Sequence, residues 1–163
     1  MSDPTTHHQG GTQITSETIQ AAGKEIRTFE DLDCWKACRD LRIFISKQIL
    51  PVLPGDDKRR LGDQVLRAAR STTANIAEGY GRYHYLDNAK FCSNARGSCY
   101  EVLDHLLTGN DEGIISDELL KRGRAYVGTA LRLLNGYMTY LKRTGNRKVS
   151  SVVRPEDPIT HNQ

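Results

Sequence analysis

Four stretches of this chain repeat apolar residues at the three-and-four spacing of an amphipathic helix, and proline or glycine punctuates the gaps between them. In the first, Cys34, Cys38, Leu41, Ile45 and Ile49 predict a helix from about Asp33 to Leu50, ended by Pro51 and Pro54-Gly55. In the second, Leu61, Val65, Ala68, Ala69, Thr72 and Ile76 share a face. Asp56 and Asp57 offer it an N-cap and a first-turn acid, and Gly79 and Gly81 mark its end. The third starts near Tyr85 and reaches about Gly109, with Phe91, Cys92, Ala95, Cys99, Val102, Leu103 and Leu106 as its stripe. Ser116 caps the fourth, with Asp117 and Glu118 in its first turn. Leu119, Leu120, Tyr126, Val127, Ala130, Leu131, Leu134, Tyr137, Met138 and Leu141 carry it to about Arg143, where Gly145 is expected to break it. Long helices with short connections pack as antiparallel neighbours, so the expected fold is all-α: an antiparallel up-down four-helix bundle. No alternating strand pattern competes.

The ends read differently. Residues 1–28 are rich in Thr, Gln, Gly and Ser and are expected to be a flexible arm, in which Ile19, Ala22 and Ile26 form a short helical pattern. Residues 29–144 hold the bundle, and 145–163 read as a polar, basic, flexible C-terminal tail. No run of about eighteen apolar residues exists, which predicts no membrane span. The opening Met1-Ser2-Asp3-Pro4 has neither a basic nor an apolar region of a secretory signal. Cys34, Cys38, Cys92 and Cys99 fall inside helices and not at loop junctions, which favours reduced core thiols and a cytoplasmic location.

One polar line is unusual in its residue types. Arg60, Gln64, Arg67, Ser71, Asn75, Glu78 and Arg82 follow one another by threes and fours along the second helix. Most such lines are solvated faces built of Lys, Glu and Arg. This one places Ser71 and Asn75 at its centre, residues that cost a helix a few tenths of a kcal/mol each. Short polar side chains let another backbone approach and hydrogen-bond across a seam. The third helix has a matching line in Lys90, Asn94, Ser98, Glu101, His105 and Thr108, with Gly97 at its border. The two lines are expected to meet another element or another subunit.

Asn75-Ile76-Ala77-Glu78-Gly79-Tyr80-Gly81-Arg82, followed by Ala95-Arg96-Gly97-Ser98-Cys99-Tyr100-Glu101, resembles the paired signature of the four-helix-bundle proteins encoded in 23S rRNA intervening sequences. Asp31-Leu32-Asp33-Cys34-Trp35-Lys36-Ala37 is similar to that family's first-helix entry, and the resemblance runs from about Phe29 to Arg143. The family includes the accessory variability proteins of diversity-generating retroelements, which form pentameric barrels and bind a reverse transcriptase and nucleic acid. The resemblance therefore implies a homo-oligomer, a pentamer, without enzymatic activity. Carried over by position, Asn75, Glu78, Arg82, Arg96, Ser98 and Glu101 are the motif's polar residues. With Arg67 and Ser71 they are read as a charge-and-amide network holding the second and third helices, and a subunit seam with them. The N-terminal arm and the basic tail depart from the family pattern.

The net charge of +3 hides an asymmetry. Between Leu119 and Pro155 stand Lys121, Arg122, Arg124, Arg132, Lys142, Arg143, Arg147, Lys148 and Arg154, with no Asp or Glu among them. Lys121, Arg124, Gly128, Arg132, Asn135, Thr139 and Lys142 fall on one line opposite the apolar stripe, and Lys58-Arg59-Arg60 opens the second helix. A cationic surface without acids releases counterions on meeting nucleic acid, irrespective of base sequence. The expectation is nucleic-acid binding, RNA or DNA backbone, through these side chains, as an accessory to a ribonucleoprotein or reverse-transcriptase system. The alternative is a structural adaptor that docks an acidic protein through the fourth helix.

Catalysis is not expected. A di-iron bundle needs Glu-x-x-His pairs, and neither Glu78 nor Glu101 has a histidine three residues on. His84 and His105 lack an arginine at the five-to-seven spacing of a bundle-type ribonuclease. His7, His8 and His161 fall in the ends, and Gly79-Tyr80-Gly81 is too short for a phosphate loop. The cysteines could share a face as a tetrathiolate, but their spacing is wider than structural zinc uses, so no metal or cofactor is expected.

Overall fold

The computed structural model describes residues 25–82 and 84–152, the last five of them by backbone alone. Most of the expected arm, Ile19, Ala22, His7 and His8 included, and the chain beyond Val152, with Arg154 and His161, lie outside the described residues. Among the described residues the protein is all-α and has no strand. Its four long helices are α1 (Asp33–Phe44), α2 (Asp63–Tyr80), α3 (Tyr85–Asp111) and α4 (Asp117–Val152).

The helices pack in a closed circuit: α1 along α2, α2 along α3, α3 along α4, and α4 back along α1. The apolar stripes face the middle. Leu41, Phe44, Ile45, Ile49, Val65, Ile76, Val102, Leu106, Val127, Leu134 and Leu141 are fully buried there. Each such side chain contributes about 1.5–3 kcal/mol relative to exposure, so this layer is the main source of stability. Cys34, Cys38, Cys92 and Cys99 are buried in the same core and carry free thiols.

The link between α1 and α2 is built from tight and wide turns. Beyond Phe44 the chain continues through a π-helical turn, Ile45–Ile49, and a 3-10 turn, Leu50–Val52. A single helical turn, Gly55–Asp57, and a second π-helical turn, Lys58–Gly62, lead into α2. Ile45 and Ile49, one turn apart on the same face, are both buried in the core. Pro54 occupies the N-cap position, and Asp56 and Asp57 stand in the first turn, where they favour the helix dipole without capping it. Ser116 caps α4 as expected: its Oγ accepts from the Leu119 amide at 3.3 Å.

Two boundaries differ from expectation. Helix α4 does not stop at Gly145 but runs to Val152. Gly145 is buried where the helix crosses Leu86 and Tyr85, and an added Cβ would lie 3.0 Å from Leu86. The glycine serves close packing there, so the expected tail from residue 145 begins as helix. At the other end the chain is ordered before residue 29. Ile26 and Phe29 pack on the core, Phe29 meets Trp35 edge-on at 5.3 Å, and the Thr28 amide donates to Asp31 Oδ2 at 3.1 Å.

Candidate nucleic-acid interface

The polar lines of α2 and α3 meet each other. Ser71 Oγ lies 2.9 Å from Ser98 Oγ, and Asn75 Nδ2 donates to the Ser71 carbonyl at 2.9 Å and to Ser71 Oγ at 3.0 Å. Ser98 Oγ donates to the Asn94 carbonyl at 3.2 Å. A hydroxyl has one hydrogen, and that of Ser98 is used, so Ser71 is the donor between the two. The result is a directed chain, Asn75 to Ser71 to Ser98 to Asn94, that crosses from one helix to the other. Ser98 is buried and Ser71 and Asn75 are half-buried, so these short polar side chains satisfy one another within a single copy.

The remaining network residues divide. Glu78 accepts from Arg82 at 2.7 Å within α2, and the Arg82 guanidinium lies 5.1 Å from the centre of the Phe91 ring on α3. Arg96 turns the other way, toward α4, and donates to Asn135 Oδ1 at 3.4 Å. It is not part of the α2–α3 seam, because its place on α3 lies on the flank opposite Ser98. Glu101 is exposed, and a carboxylate oxygen of it lies 3.8 Å from Nε2 of His105 on the same helix. Arg67 is exposed. Gly97 was expected to mark a close approach, yet an added Cβ there would meet no atom within 4 Å.

Lys121, Arg124, Gly128, Arg132, Asn135, Thr139 and Lys142 are all exposed along α4, and Arg143 and Arg147 continue the row. From Lys121 to Arg143 the helix rises about 33 Å. Among the described residues no carboxylate forms an ion pair with any cation of this row; the pairs present are Arg27–Glu25, Lys36–Asp33, Arg59–Asp56, Arg82–Glu78 and His105–Glu101. Arg122 stands apart. It is half-buried, with its guanidinium 5.5 Å from the Phe44 ring centre, so it packs the α1–α4 contact. Lys148 lies in the last turns of α4, with its side chain outside the described set. Lys58, Arg59 and Arg60 are exposed on the π-helical turn before α2, a separate cluster, and Arg59 is held by Asp56 at 2.7 Å.

The core thiols are shaped for inertness. Burial pushes Cys92 up to about 12, with Cys38 nearby adding to it. Cys34 is raised by burial and by Cys92 and Cys38, and Cys99 by its contact with Cys38 and by burial. A thiol held protonated is neither a nucleophile nor a ligand. Among the described residues no three His, Cys, Asp or Glu are grouped to hold a metal ion. Beside the thiols, Asn88 accepts from Cys92 Sγ at 3.4 Å and donates to the Tyr137 hydroxyl at 3.1 Å, a buried polar link between α3 and α4. The spacing of Asn88 on the core face of α3 was the available sequence signal for that link. No described helix is long and apolar enough to cross a membrane.

A family model described as 23S rRNA-intervening sequence protein matches residues 30–136. That span holds α1 to α3 and the first half of α4, and leaves Lys142, Arg143, Arg147 and Lys148 beyond it. No curated protein matches the chain.

Proposed function

The chain belongs to the 23S rRNA-intervening sequence protein family, and we propose that it is a non-enzymatic, homo-oligomeric bundle that binds the phosphate backbone of nucleic acid. One observation supports this reading above others: an outward row of cations on α4 that no carboxylate among the described residues pairs. Such charges are free to neutralise backbone phosphates, and the counterions condensed on the polyanion are then released, which drives binding. The family description, which concerns an rRNA element, makes RNA the first polyanion to test.

The same reading takes the bundle as antiparallel and up-down. Gly79 of α2 lies beside Asn88 and Phe91 of α3, Ser71 beside Ser98, and Leu61 beside Gly109, so numbers fall on one helix as they rise on the other. It takes the assembly as a pentamer, the location as cytoplasmic, and a reverse transcriptase as a further partner. A pentamer would present five copies of the row and multiply a weak contact.

The test is binding of an RNA duplex across a salt series. Five phosphate contacts per copy, one each for Lys121, Arg124, Arg132, Lys142 and Arg143, give a log–log slope of about −4.5. Affinity then falls roughly 500-fold between 50 and 200 mM salt. Absence of binding at the lowest salt removes this reading. Tight binding of an acidic polypeptide in its place supports the adaptor alternative.

A further inference from the structure

We propose that Tyr100 is a stacking platform for an unpaired base of single-stranded RNA whose phosphates lie along Arg96, Arg132 and Arg124. The proposal rests on the nucleic-acid reading above and adds to it the strandedness of the ligand and the residue that selects it.

Tyr100 is 56% exposed, more than Ile43, Val52, Leu86 or Tyr140, the other exposed large apolar side chains described. Among the described residues its ring joins no aromatic pair and no cation–π contact, in contrast to Phe29, Trp35, Phe44, Tyr80, Phe91, Tyr126, Tyr137 and Tyr140, and its hydroxyl has no hydrogen-bond partner. A lone surface aromatic is ordinary. The surroundings of this one are not.

Tyr100 stands one helical turn after Arg96, on the flank of α3 that faces α4. Arg96 meets Asn135, and Leu106 meets Gly123, so Tyr100 lies level with the stretch of α4 from Gly128 to Arg132. Arg132 and Arg124 are exposed on that stretch and on the turn before it. Gly97 on α3 and Gly128 on α4 each have no atom within 4 Å of where a Cβ would be. Two mid-helix glycines that answer to no packing demand among the described residues leave a shallow floor around the ring, at a cost of about 1 kcal/mol each to their helices. Asp104, one turn beyond Tyr100, is exposed and closes the patch on one side.

A bare ring on a low floor among cations fits an unstacked base better than a duplex. In A-form RNA the bases are stacked on one another and only phosphates, sugars and base edges reach a side chain. A single strand offers base faces, and every base has one, so stacking is tolerant of sequence. The duplex contact of the α4 row needs phosphates alone. Strandedness therefore separates the two contributions: Tyr100 acts only on single strands, and Lys121, Lys142 and Arg143 act on both.

The experiment compares the full-length protein with Tyr100→Ala and Tyr100→Phe, using a twelve-nucleotide single-stranded RNA carrying one 2-aminopurine, the corresponding duplex, and polyglutamate. Unaltered circular dichroism and light-scattering mass qualify the variants. Tyr100→Ala is expected to weaken the single strand roughly 5- to 100-fold and to leave the duplex within twofold, with Tyr100→Phe close to the parent. The 2-aminopurine fluorescence is quenched on binding to the parent and to Tyr100→Phe, and not to Tyr100→Ala. Equal losses for single strand and duplex, or no loss for either, overturn the proposal while leaving the α4 row intact as a phosphate surface. Failure of the parent to bind any RNA at low salt overturns both. A Tyr100→Ala protein that loses only polyglutamate binding assigns the patch to an acidic protein, and one that changes assembly mass assigns it to a subunit seam; either result refutes the stacking role.

Discussion

Two glycines on the same pair of helices should respond to alanine in opposite directions. At Gly79 an added Cβ would lie 2.8 Å from Phe91 Cβ and 2.8 Å from Asn88 Oδ1, with the Asn88 carbonyl at 3.2 Å. Phe91 Cβ is fixed to the α3 backbone and cannot swing aside, so the helices must part by several tenths of an ångström. Overpacking of this kind costs about 1–3 kcal/mol. The gain in helix propensity is at most about 1 kcal/mol and is reduced here, since Gly79 is the penultimate residue of α2. Gly79→Ala should therefore destabilise by about 1–2 kcal/mol. At Gly97, mid-helix in α3 with nothing within 4 Å, only the propensity term operates, and Gly97→Ala should stabilise by about 1 kcal/mol. For a chain of this size each kcal/mol moves the midpoint by about 2–4 °C. Thermal melts followed by circular dichroism at one protein concentration should then show Gly79→Ala below the parent and Gly97→Ala above it. A fall for Gly97→Ala would mean that something other than this chain's own atoms approaches that backbone, and the open-floor description of the α3–α4 face would be wrong.

Ser98→Ala removes the acceptor of the Ser71 hydroxyl and should cost about 1–2 kcal/mol in urea titration, with the Ser71→Ala/Ser98→Ala double variant costing less than the sum. Arg122→Ala should lower stability by about 0.5–1 kcal/mol through loss of the Phe44 contact and leave the salt slope of RNA binding unchanged. Arg132→Ala should do the reverse, reducing the slope by about 0.9 without shifting the melt. Cys92 has its thiol pushed from an ordinary value of 9.0 up to about 12 by burial, so the unfolded chain releases that proton first as pH rises. The associated stability is complete below pH 9 and declines at about 1.4 kcal/mol per pH unit above it until the folded thiol ionises near 12; urea midpoints at pH 8 and 10 measure the decline, and a Cys92→Ala variant should show less of it.

The parts of the fold that could be read in advance are those where side-chain period and backbone period coincide. Leu41, Val65, Val102 and Leu134 sit on stripes of helical spacing, and a stripe needs only water on one side to declare its direction. The π-helical turns at Ile45–Ile49 and Lys58–Gly62 had no such mark, because an inserted residue shifts the register while apolar residues still fall inward. Glycine misled in two ways for one reason. Gly145 looks like a stop and is a packing contact; Gly97 looks like a packing contact and is open. Composition shows that a backbone lacks a Cβ, and only the neighbouring helix decides whether that absence is used. The candidate surface follows the same logic. The acid-free row of α4 was legible because charge sign is written in the residue type, and the Ser71–Ser98 seam because two helices carried matching lines of poor helix formers. Arg122 and Arg96 were grouped with the wrong neighbours, since a long cation reaches across a helix boundary that spacing along one helix does not show. Tyr100 was passed over within its own motif, because a tyrosine in a helix is ordinarily core, whereas this one is exposed on the flank of α3 away from the buried stripe. What distinguishes this face from the rest of the bundle is thus a tertiary coincidence, two open glycines level with one unpaired ring, set among cations that the sequence had already placed on the outside.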